Sequence, residues 1–189
     1  MINKKTVVSV LSEIIQTALI SLGIFFIVYI FIIQPHRVKG ESMMPNFSDG
    51  ELLLTEKVSY RFQNPRRGDV IVFQAPTPRK ADFIKRIIGL PGDTVEVNNG
   101  NIIINGAKLN EPYEIQSTDG NLTLKLSEDE YFVLGDNRNA SSDSRSFGPI
   151  DKKTIRGRAF LVYWPIYKTT YSKGARFISR IDYSLSNSF

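Results

Sequence analysis

The segment 40–45, Gly-Glu-Ser-Met-Met-Pro, contains a serine that could serve as a nucleophile, Ser42. It follows a long apolar stretch and precedes a proline, whose ring stiffens the loop. Serine and proline are also ordinary turn residues. From these six residues alone an ordinary turn is the simpler interpretation, so a catalytic role depends on a base supplied by another part of the chain.

A lysine inside the apolar segment 82–92 is the candidate base. Alternate side chains of a strand share a face, so Lys85 is expected on the same face as Phe83 and Ile87. Burial of that face would lower the lysine pKa, and a neutral lysine can act as a general base. The alternative is an edge-strand lysine that discourages aggregation. Arg86 points to the opposite face and is expected to be solvated.

A polar segment, 135–145, follows the apolar run 131–134. Asp143 and Arg145 can form an ion pair, and the Ser141 hydroxyl can donate to a neighbouring side chain. The segment is therefore a candidate support for a site built by other residues. A solvated loop is the alternative, which composition alone does not reject.

Missing residue types restrict the chemistry. The chain has no cysteine, which excludes disulfides, thiolate metal sites and a cysteine nucleophile. Its one histidine, His36, lies beside the apolar stretch and is interpreted as an interfacial residue. No phosphate loop, dinucleotide loop or zincin motif occurs, and we expect no metal and no cofactor. The net charge of +5 favours anionic lipid headgroups, but there is no dense basic stripe that would indicate nucleic acid.

The amino-terminal region predicts a membrane anchor. Residues 14–33 carry no charge, and a helix of about 20 residues spans a hydrocarbon core of about 30 Å. Pro35 is expected to end this helix. A cleavable signal peptide is the alternative, but the apolar run is long and no small-residue cleavage site follows. Lys4 and Lys5 weakly favour an amino terminus on the inner side.

Beyond the anchor, the sequence alternates short apolar runs with turn residues. The predicted strands are 51–57, 69–74, 82–88, 94–97, 101–104, 130–134 and 158–164. Asn99-Gly100 between two of them predicts a two-residue hairpin. We therefore predict a mainly β protein, with a single transmembrane helix in region 1–34 and an antiparallel domain at 35–167. That domain carries a small β insertion at about 96–130, and 168–189 is a loosely attached tail.

Taken in order, these segments resemble the bacterial type I signal peptidases. That family has a membrane anchor, then Ser-Met-x-Pro, then a segment that begins with Arg-Gly-Asp and ends in Phe. Lys-Arg-x-x-Gly-x-Pro-Gly-Asp and Gly-Asp-Asn-Arg-x-x-Ser-x-Asp-Ser-Arg follow. The matching segments here are 42–45, 67–73, 85–93 and 135–145. The resemblance runs from about residue 7 to about residue 165, and the length is similar to that of the compact Gram-positive-type enzymes.

The resemblance implies two antiparallel sheets on the outer membrane surface, with Ser42 as nucleophile and Lys85 as base. The residues expected to support the lysine and its sheet are Gly135, Asp136, Asn137, Arg138, Ser141, Asp143, Ser144 and Arg145. Gly40, Glu41 and Met43 are expected in the substrate or oxyanion region. Many relatives have a serine or threonine at the position of Gly40, so the oxyanion here would depend mainly on backbone N–H groups such as that of Ser42. Asn46 stands where relatives often have threonine.

The resulting hypothesis is a single-pass protease of the cytoplasmic membrane with its catalytic domain on the extracytoplasmic face. Its partners would be membrane lipids and the signal peptides of secreted preproteins, cleaved after small residues at P1 and P3. One alternative is a non-catalytic, signal-peptidase-like assembly factor for surface polymers, which would be expected to lack Ser42 or Lys85. A self-cleaving repressor-type protease would instead predict an amino-terminal DNA-binding module. A basic membrane-surface binding protein does not explain the intact pair.

Overall fold

The computed structural model describes residues 4–78, 81–112 and 117–187. Three α-helices occur there: α1 (Lys4–Phe31), α2 (Ser59–Phe62) and α3 (Ser144–Phe147). The strands are β1 (Ile33–Arg37), β2 (Leu52–Glu56), β3 (Val70–Gln74), β4 (Asp82–Gly89), β5 (Thr94–Asn98), β6 (Asn101–Ile104), β7 (Ala107–Asn110), β8 (Leu122–Lys125), β9 (Glu130–Leu134), β10 (Ile150–Asp151), β11 (Ile155–Trp164), β12 (Arg176–Phe177) and β13 (Ser184–Asn187). The prediction of a mainly β chain behind one apolar helix is confirmed.

Helix α1 is long and apolar enough to cross a membrane. Its segment Val8–Tyr29 has a mean hydropathy of 2.0, and none of it is buried against the rest of the chain. At 1.5 Å per residue, these 22 residues rise about 33 Å, which matches a hydrocarbon core. The helix ends at Phe31, before the predicted stop at Pro35. Pro35 lies instead in the edge strand β1, where its missing N–H costs no ladder hydrogen bond.

The larger sheet is antiparallel and has the order β1-β2-β11-β3-β4-β9-β10, with β12 paired to β11. Its central strand β3 is buried on both faces, which explains its continuous apolar sequence. Val70 and Val72 join one core cluster, whereas Ile71 and Phe73 join another. The sheet therefore places β4, which carries the candidate lysine, between two well-packed neighbours.

The smaller sheet has the order β13-β7-β6-β5-β8. Its first hairpin confirms the predicted two-residue turn, because Asn98 pairs with Asn101 and the two residues between them have positive φ, 49° at Asn99 and 80° at Gly100. Apolar residues of this sheet pack against β9 of the larger sheet in one shared core cluster. The two sheets are therefore joined through a common core.

All seven predicted strands are present, with ends displaced by up to three residues. The predicted boundary between residues 34 and 35 falls inside β1. The segment 168–189 differs from the expected loose tail over its described part. Strand β12 pairs with β11 and β13 with β7, while Ile178 and Tyr183 pack against the two cores. Its weak periodicity is explained by pairing in short pieces with two different sheets.

Candidate active site

Ser42 and Lys85 lie in direct contact although 43 residues separate them in sequence. The Lys85 Nζ is 2.7 Å from the Ser42 Oγ, within hydrogen-bond distance. Strand β4 holds the lysine so that only 4% of it is exposed. Its Nζ also donates to the Ile84 carbonyl at 3.1 Å and lies 5.4 Å from the centre of the Phe83 ring. The hydroxyl of a serine thus faces the amine of a buried lysine.

Burial lowers the pKa of Lys85 to about 8, because desolvation disfavours the ammonium form. The negative charges of Asp143 and Asp136 oppose this effect and raise the pKa, but burial is the larger cause. Most of this lysine is still protonated near pH 7, but its neutral fraction is far larger than that of a lysine with the ordinary pKa of 10.5. Only the neutral amine can accept a proton from a hydroxyl.

The loop that carries Ser42 is fixed by its neighbours in sequence. Met43 is fully buried, and Phe47 packs in the same core cluster. The Phe47 N–H donates to the Met43 carbonyl at 2.8 Å, and the Met44 N–H donates to the Glu41 carbonyl at 3.0 Å. Met43 thus anchors the loop in the core, while Glu41 is exposed beside it.

The segment that follows β9 holds this loop from behind. The Asn137 N–H donates to the Ser42 carbonyl at 3.0 Å, and the Asn137 Nδ2 donates to the Glu41 carbonyl at 3.2 Å. A Cβ at Gly135 would lie 2.4 Å from the Ser42 carbonyl oxygen and 2.3 Å from the Ser141 Oγ. Gly135 is therefore required for this close approach, because any side chain would push the Ser42 loop away.

The prediction that Arg86 is solvated is wrong, because this residue is buried and paired with Asp136. The guanidinium donates from Nε and Nη2 to the two carboxylate oxygens at 2.8 and 2.6 Å. It also donates to the Gly68 carbonyl at 3.0 Å, and the Asn46 Nδ2 donates to Asp136 at 3.0 Å. The opposite face of β4 is buried too, so the alternation of the strand does not expose this residue.

Asp143 and Arg145 form the predicted ion pair, with Nε to Oδ1 at 2.9 Å and Nη2 to Oδ2 at 3.0 Å. The buried Asp143 also accepts from the Gly135 N–H at 3.2 Å. Arg145 extends the contact to the Arg138 carbonyl at 2.6 Å, and the Ser144 Oγ accepts from the backbone of β9. These bonds brace the turn on which Gly135 and Asn137 lie.

Two other expected supporting residues, Arg138 and Ser141, make no hydrogen bond to the lysine in the part of the chain that the structure describes. Arg138 donates to its own turn at the Gly135 carbonyl, but its guanidinium reaches Glu111 at 2.5 Å and Thr118, on the side of the smaller sheet. Ser141 was expected to donate to a side chain. Its Oγ is buried but has no hydrogen-bond partner within the described residues.

A second ion pair near the loop, between partly exposed Arg176 and buried Glu51, has no signal in the local sequence. Arg176 donates to both carboxylate oxygens of buried Glu51, at 3.0 and 2.7 Å, and to the Asn46 carbonyl at 2.6 Å. Its guanidinium also lies 5.5 Å from the centre of the Phe47 ring. No local pattern signalled this contact, because Arg176 belongs to the segment interpreted as a tail.

An open cleft of about 490 Å³ contains the Ser42–Lys85 contact. Residues 36–39 line one side and residues 81–85 the other, with apolar Leu53 and Val72 also contributing. Strand β4 pairs with β3 over residues 82–86 but with β9 only from Arg86 onward. The outer edge of residues 82–85 is therefore unpaired within the described chain, and it faces the cleft.

His36 lines the cleft but does not contact Ser42. Its Nε2 lies 3.1 Å from the Thr55 Oγ1, and burial lowers its pKa. Lys85 is thus the base candidate in hydrogen-bond distance of the serine. Among the described residues, no cluster of three or more histidine or carboxylate side chains is arranged to hold a metal ion.

A family model described as signal peptidase, peptidase S26, matches residues 11–164. The chain belongs to this family. It is 38% identical over 171 residues to a signal peptidase I P from Bacillus subtilis subsp. natto, covering 84% of this chain and 92% of that protein. A signal peptidase I from Leptolyngbya laminosa is 40% identical over 167 residues, which cover 84% and 82%. A signal peptidase IB from Staphylococcus aureus strain MRSA252 is 35% identical over 181 residues, which cover 86% and 94%.

As a member of peptidase family S26, the chain is a serine endopeptidase. The matched region contains Ser42, Lys85 and the whole polar segment 135–145. It ends at Trp164, before Arg176. The contact between Arg176 and the Ser42 loop therefore lies beyond the part that the family model covers.

Proposed function

We propose that this signal peptidase family member removes signal peptides from exported preproteins with a dyad of Ser42 and Lys85. The observation that carries the proposal is the 2.7 Å contact between the serine hydroxyl and the amine of a buried lysine. The relatives named signal peptidase I support the substrate class, because they match most of the chain.

In the first half of the reaction, neutral Lys85 accepts the hydroxyl proton as the Ser42 Oγ attacks the scissile carbonyl. The resulting ammonium then donates that proton to the leaving amine as the peptide bond breaks. The mature protein departs, and the signal peptide stays as an ester on Ser42. In the second half, Lys85 takes a proton from water, which attacks the ester, and returns it to the Ser42 oxygen.

The oxyanion is assigned to the backbone N–H of Ser42, which donates no hydrogen bond to another described residue. The Gly40 N–H is committed elsewhere, because it donates to the Asp49 Oδ1 at 2.7 Å. Gly40 has a φ of +81° and open space at its Cβ position. The role of Gly40 is therefore to turn the chain at the entrance of the Ser42 loop.

The substrate is an extended peptide that pairs with the open edge of residues 82–85 by adding a strand. Alternate side chains of an added strand point into the cleft, where Val72 and Leu53 form an apolar floor. Shallow subsites on this packed apolar floor favour small substrate residues at P1 and P3.

Helix α1 acts as the anchor, with the amino terminus inside and the catalytic domain on the extracytoplasmic face of the cytoplasmic membrane. The strand β1 begins at Ile33, directly after the helix, so the cleft stays close to the membrane surface. Tethering enzyme and membrane-bound substrate to one surface raises their effective concentration. A non-catalytic assembly factor is disfavoured, because both members of the dyad are present and in contact.

Cleavage of a model preprotein by the full-length chain in detergent micelles tests the dyad. Ser42→Ala and Lys85→Met should each lower kcat/KM by at least about a hundredfold. The first removes the nucleophile, and the second removes the base that accepts and returns its proton. Ser127→Ala and Lys125→Met, exposed residues outside the cleft, are the matched controls and should keep the parent rate. Parent-like turnover by a folded Ser42→Ala or Lys85→Met variant would reject the dyad.

A further inference from the structure

Asn46 lies in the loop that carries the nucleophile and uses all of its polar groups in hydrogen bonds. Its N–H donates to the Met43 carbonyl at 3.0 Å, and its own carbonyl accepts from the Arg176 Nη2 at 2.6 Å. The side-chain Nδ2 donates to the Asp136 Oδ2 at 3.0 Å, and the Oδ1 accepts from the Lys173 Nζ at 3.0 Å. One residue thus connects its own loop, the segment after β9 and the carboxyl-terminal segment.

The two partners of the side chain need both ends of an amide. A carboxylate only accepts hydrogen bonds and an ammonium only donates them, so the Asn46 Nδ2 must face Asp136 and the Oδ1 must face Lys173. An aspartate of the same shape would keep the bond to Lys173 but has no N–H for Asp136. The amide of Asn46 is therefore specific to this position in a way that its size alone is not.

The bond to Asp136 joins Asn46 to the support behind the serine. Asp136 is fixed by two hydrogen bonds from Arg86, and the next residue, Asn137, donates its N–H to the Ser42 carbonyl at 3.0 Å. The loop is thus attached to the Asp136 segment at two points, at the serine itself and four residues after it. Two attachments fix both the position and the direction of the loop, whereas one would allow it to pivot.

The carboxyl-terminal segment holds Asn46 from the other side. Glu51, only 1% exposed, accepts from Arg176 at 3.0 and 2.7 Å and from the Ser172 Oγ at 2.5 Å. Charge-assisted bonds to a buried carboxylate hold the guanidinium in one orientation. From that orientation Arg176 reaches the Asn46 carbonyl and lies against the Phe47 ring. This contact comes from residues beyond the matched region 11–164.

The geometry that depends on this loop is the 2.7 Å contact of the dyad. Lys85 is held by strand β4, which pairs with β3 over residues 82–86. The Ser42 Oγ, in contrast, is held by a loop, and a displacement of about 1 Å can lower a rate about a hundredfold. The cleft edges at 36–39 and 81–85 do not include Asn46, so the surface assigned to the substrate does not need its amide.

We propose that Asn46 is a positioning residue for the nucleophile. By joining the Ser42 loop to Asp136 and to the carboxyl-terminal segment, it keeps the Ser42 Oγ within hydrogen-bond distance of Lys85. Asn46 touches neither the reacting atoms nor the cleft edges and acts through Ser42. The proposal rests on the Ser42–Lys85 dyad of the proposed function.

Separate measurement of kcat and KM tests this role, with a peptide substrate and the full-length chain in detergent micelles. Asn46→Ala should lower kcat about tenfold or more, because a hydrogen bond to a charged group is lost and the serine moves from its base. KM should stay within about twofold of the parent value. Asn46→Asp should lose at least as much kcat, because it places two carboxylates together. Asn98→Ala, at an exposed position of β5, is the matched control and should keep both values.

Arg176→Lys tests the contribution of the carboxyl-terminal segment. It keeps the charge beside Glu51, but one ammonium cannot reproduce the separate bonds to Glu51 and to the Asn46 carbonyl. It should lower kcat by about threefold or more. The loss in Asn46→Ala/Arg176→Lys should be smaller than the product of the two single losses, because both substitutions release the same loop. Losses that multiply in full would overturn the shared route.

Urea unfolding of each variant at the assay temperature distinguishes positioning from general stability. A folded Asn46→Ala variant with the parent kcat, or with a change in KM alone, would overturn the proposal. Parent-like kcat in Asn46→Asp would show that only the size of the side chain matters and would also overturn it, as would an Asn46→Ala variant that does not fold. Activity retained in Ser42→Ala would instead reject the dyad itself, so the two failures remain distinguishable.

Discussion

Lys85 and Arg86 are adjacent basic residues of strand β4 whose side chains are buried in two opposite ways. Lys85 faces Ser42 and has a pKa lowered to about 8. Arg86 faces Asp136 and makes two hydrogen bonds to its carboxylate. A lysine can be buried by losing its proton, whereas a guanidinium keeps its charge and needs a partner. One face of the strand is thus suited to proton transfer and the other to rigid support.

The two faces are connected through the segment that contains Gly135 to Asn137. Asp136 pairs with Arg86, while its neighbours on either side contact the carbonyl of Ser42. The ion pair behind the strand therefore fixes the loop in front of it. The contact between Ser42 and Lys85 therefore depends on the Arg86–Asp136 ion pair, although neither Ser42 nor Lys85 belongs to that pair.

The largest expected effect is on the supporting face. Arg86→Met leaves the Asp136 carboxylate buried without its cation and should lower the free energy of unfolding by about 3–5 kcal/mol. Urea denaturation of the full-length chain in micelles measures this loss. Arg86→Met/Asp136→Leu removes both charges and should recover most of the stability. A loss below about 1 kcal/mol in the single variant would mean that the pair is not the support of this face.

The same substitution at the neighbouring position should act in the opposite direction. Lys85→Met removes an amine whose folded pKa is about 8 and whose unfolded value is 10.5, a difference of about 3 kcal/mol. The parent pays this cost fully below pH 8, and its stability rises as the pH increases from 8 to 10.5. Lys85→Met should therefore be more stable than the parent at pH 7, and the gain should fade toward pH 10.5.

Urea unfolding of both proteins across this pH range measures the gain as a difference, which cancels the titration of other groups. A difference that stays constant with pH would contradict a lowered pKa for Lys85.

A smaller effect is expected on the pH dependence of cleavage. The parent rate should rise with pH through a single ionisation near the Lys85 pKa of about 8, because only the neutral amine accepts the serine proton. Asp143 raises this pKa, so Asp143→Asn should move the midpoint to lower pH, by about one unit or less. Profiles of kcat/KM on a peptide substrate measure the shift, with Asp129→Asn as the exposed control. A midpoint that moves upward would reverse the assigned electrostatics.

The smallest effect is expected at His36. Its ring contacts Thr55 and not Ser42, so His36→Ala should leave the midpoint of the profile near pH 8. Loss of the ionisation in this variant, with activity retained in Lys85→Met, would transfer the role of base to the histidine.

Local patterns in the sequence predicted much of this architecture. Apolar runs separated by turn residues located seven strands, because the side-chain alternation of a strand and the φ requirements of a turn are local properties. The uncharged run after Glu13 predicted a membrane anchor for the same reason. The length of a helix is compared with the thickness of a membrane from consecutive residues alone, without any contact to a distant residue. The short strands β7, β8, β10, β12 and β13 were missed, because each has too few residues to show a period. Strand β1 was missed because Pro35 was interpreted as the end of the apolar helix.

The sequence by itself determined the apolar amino-terminal helix, the mainly β class and the segments that contain Ser42 and Lys85, all of which depend on neighbouring residues. Only the tertiary structure decided that Arg86 is buried and that Arg176 reaches Glu51. Arg86 and Asp136 are 50 residues apart, and Arg176 and Glu51 are 125 apart. A charged side chain is buried only where such a distant partner lies beside it in the fold. The alternation of side chains along one strand does not identify that partner.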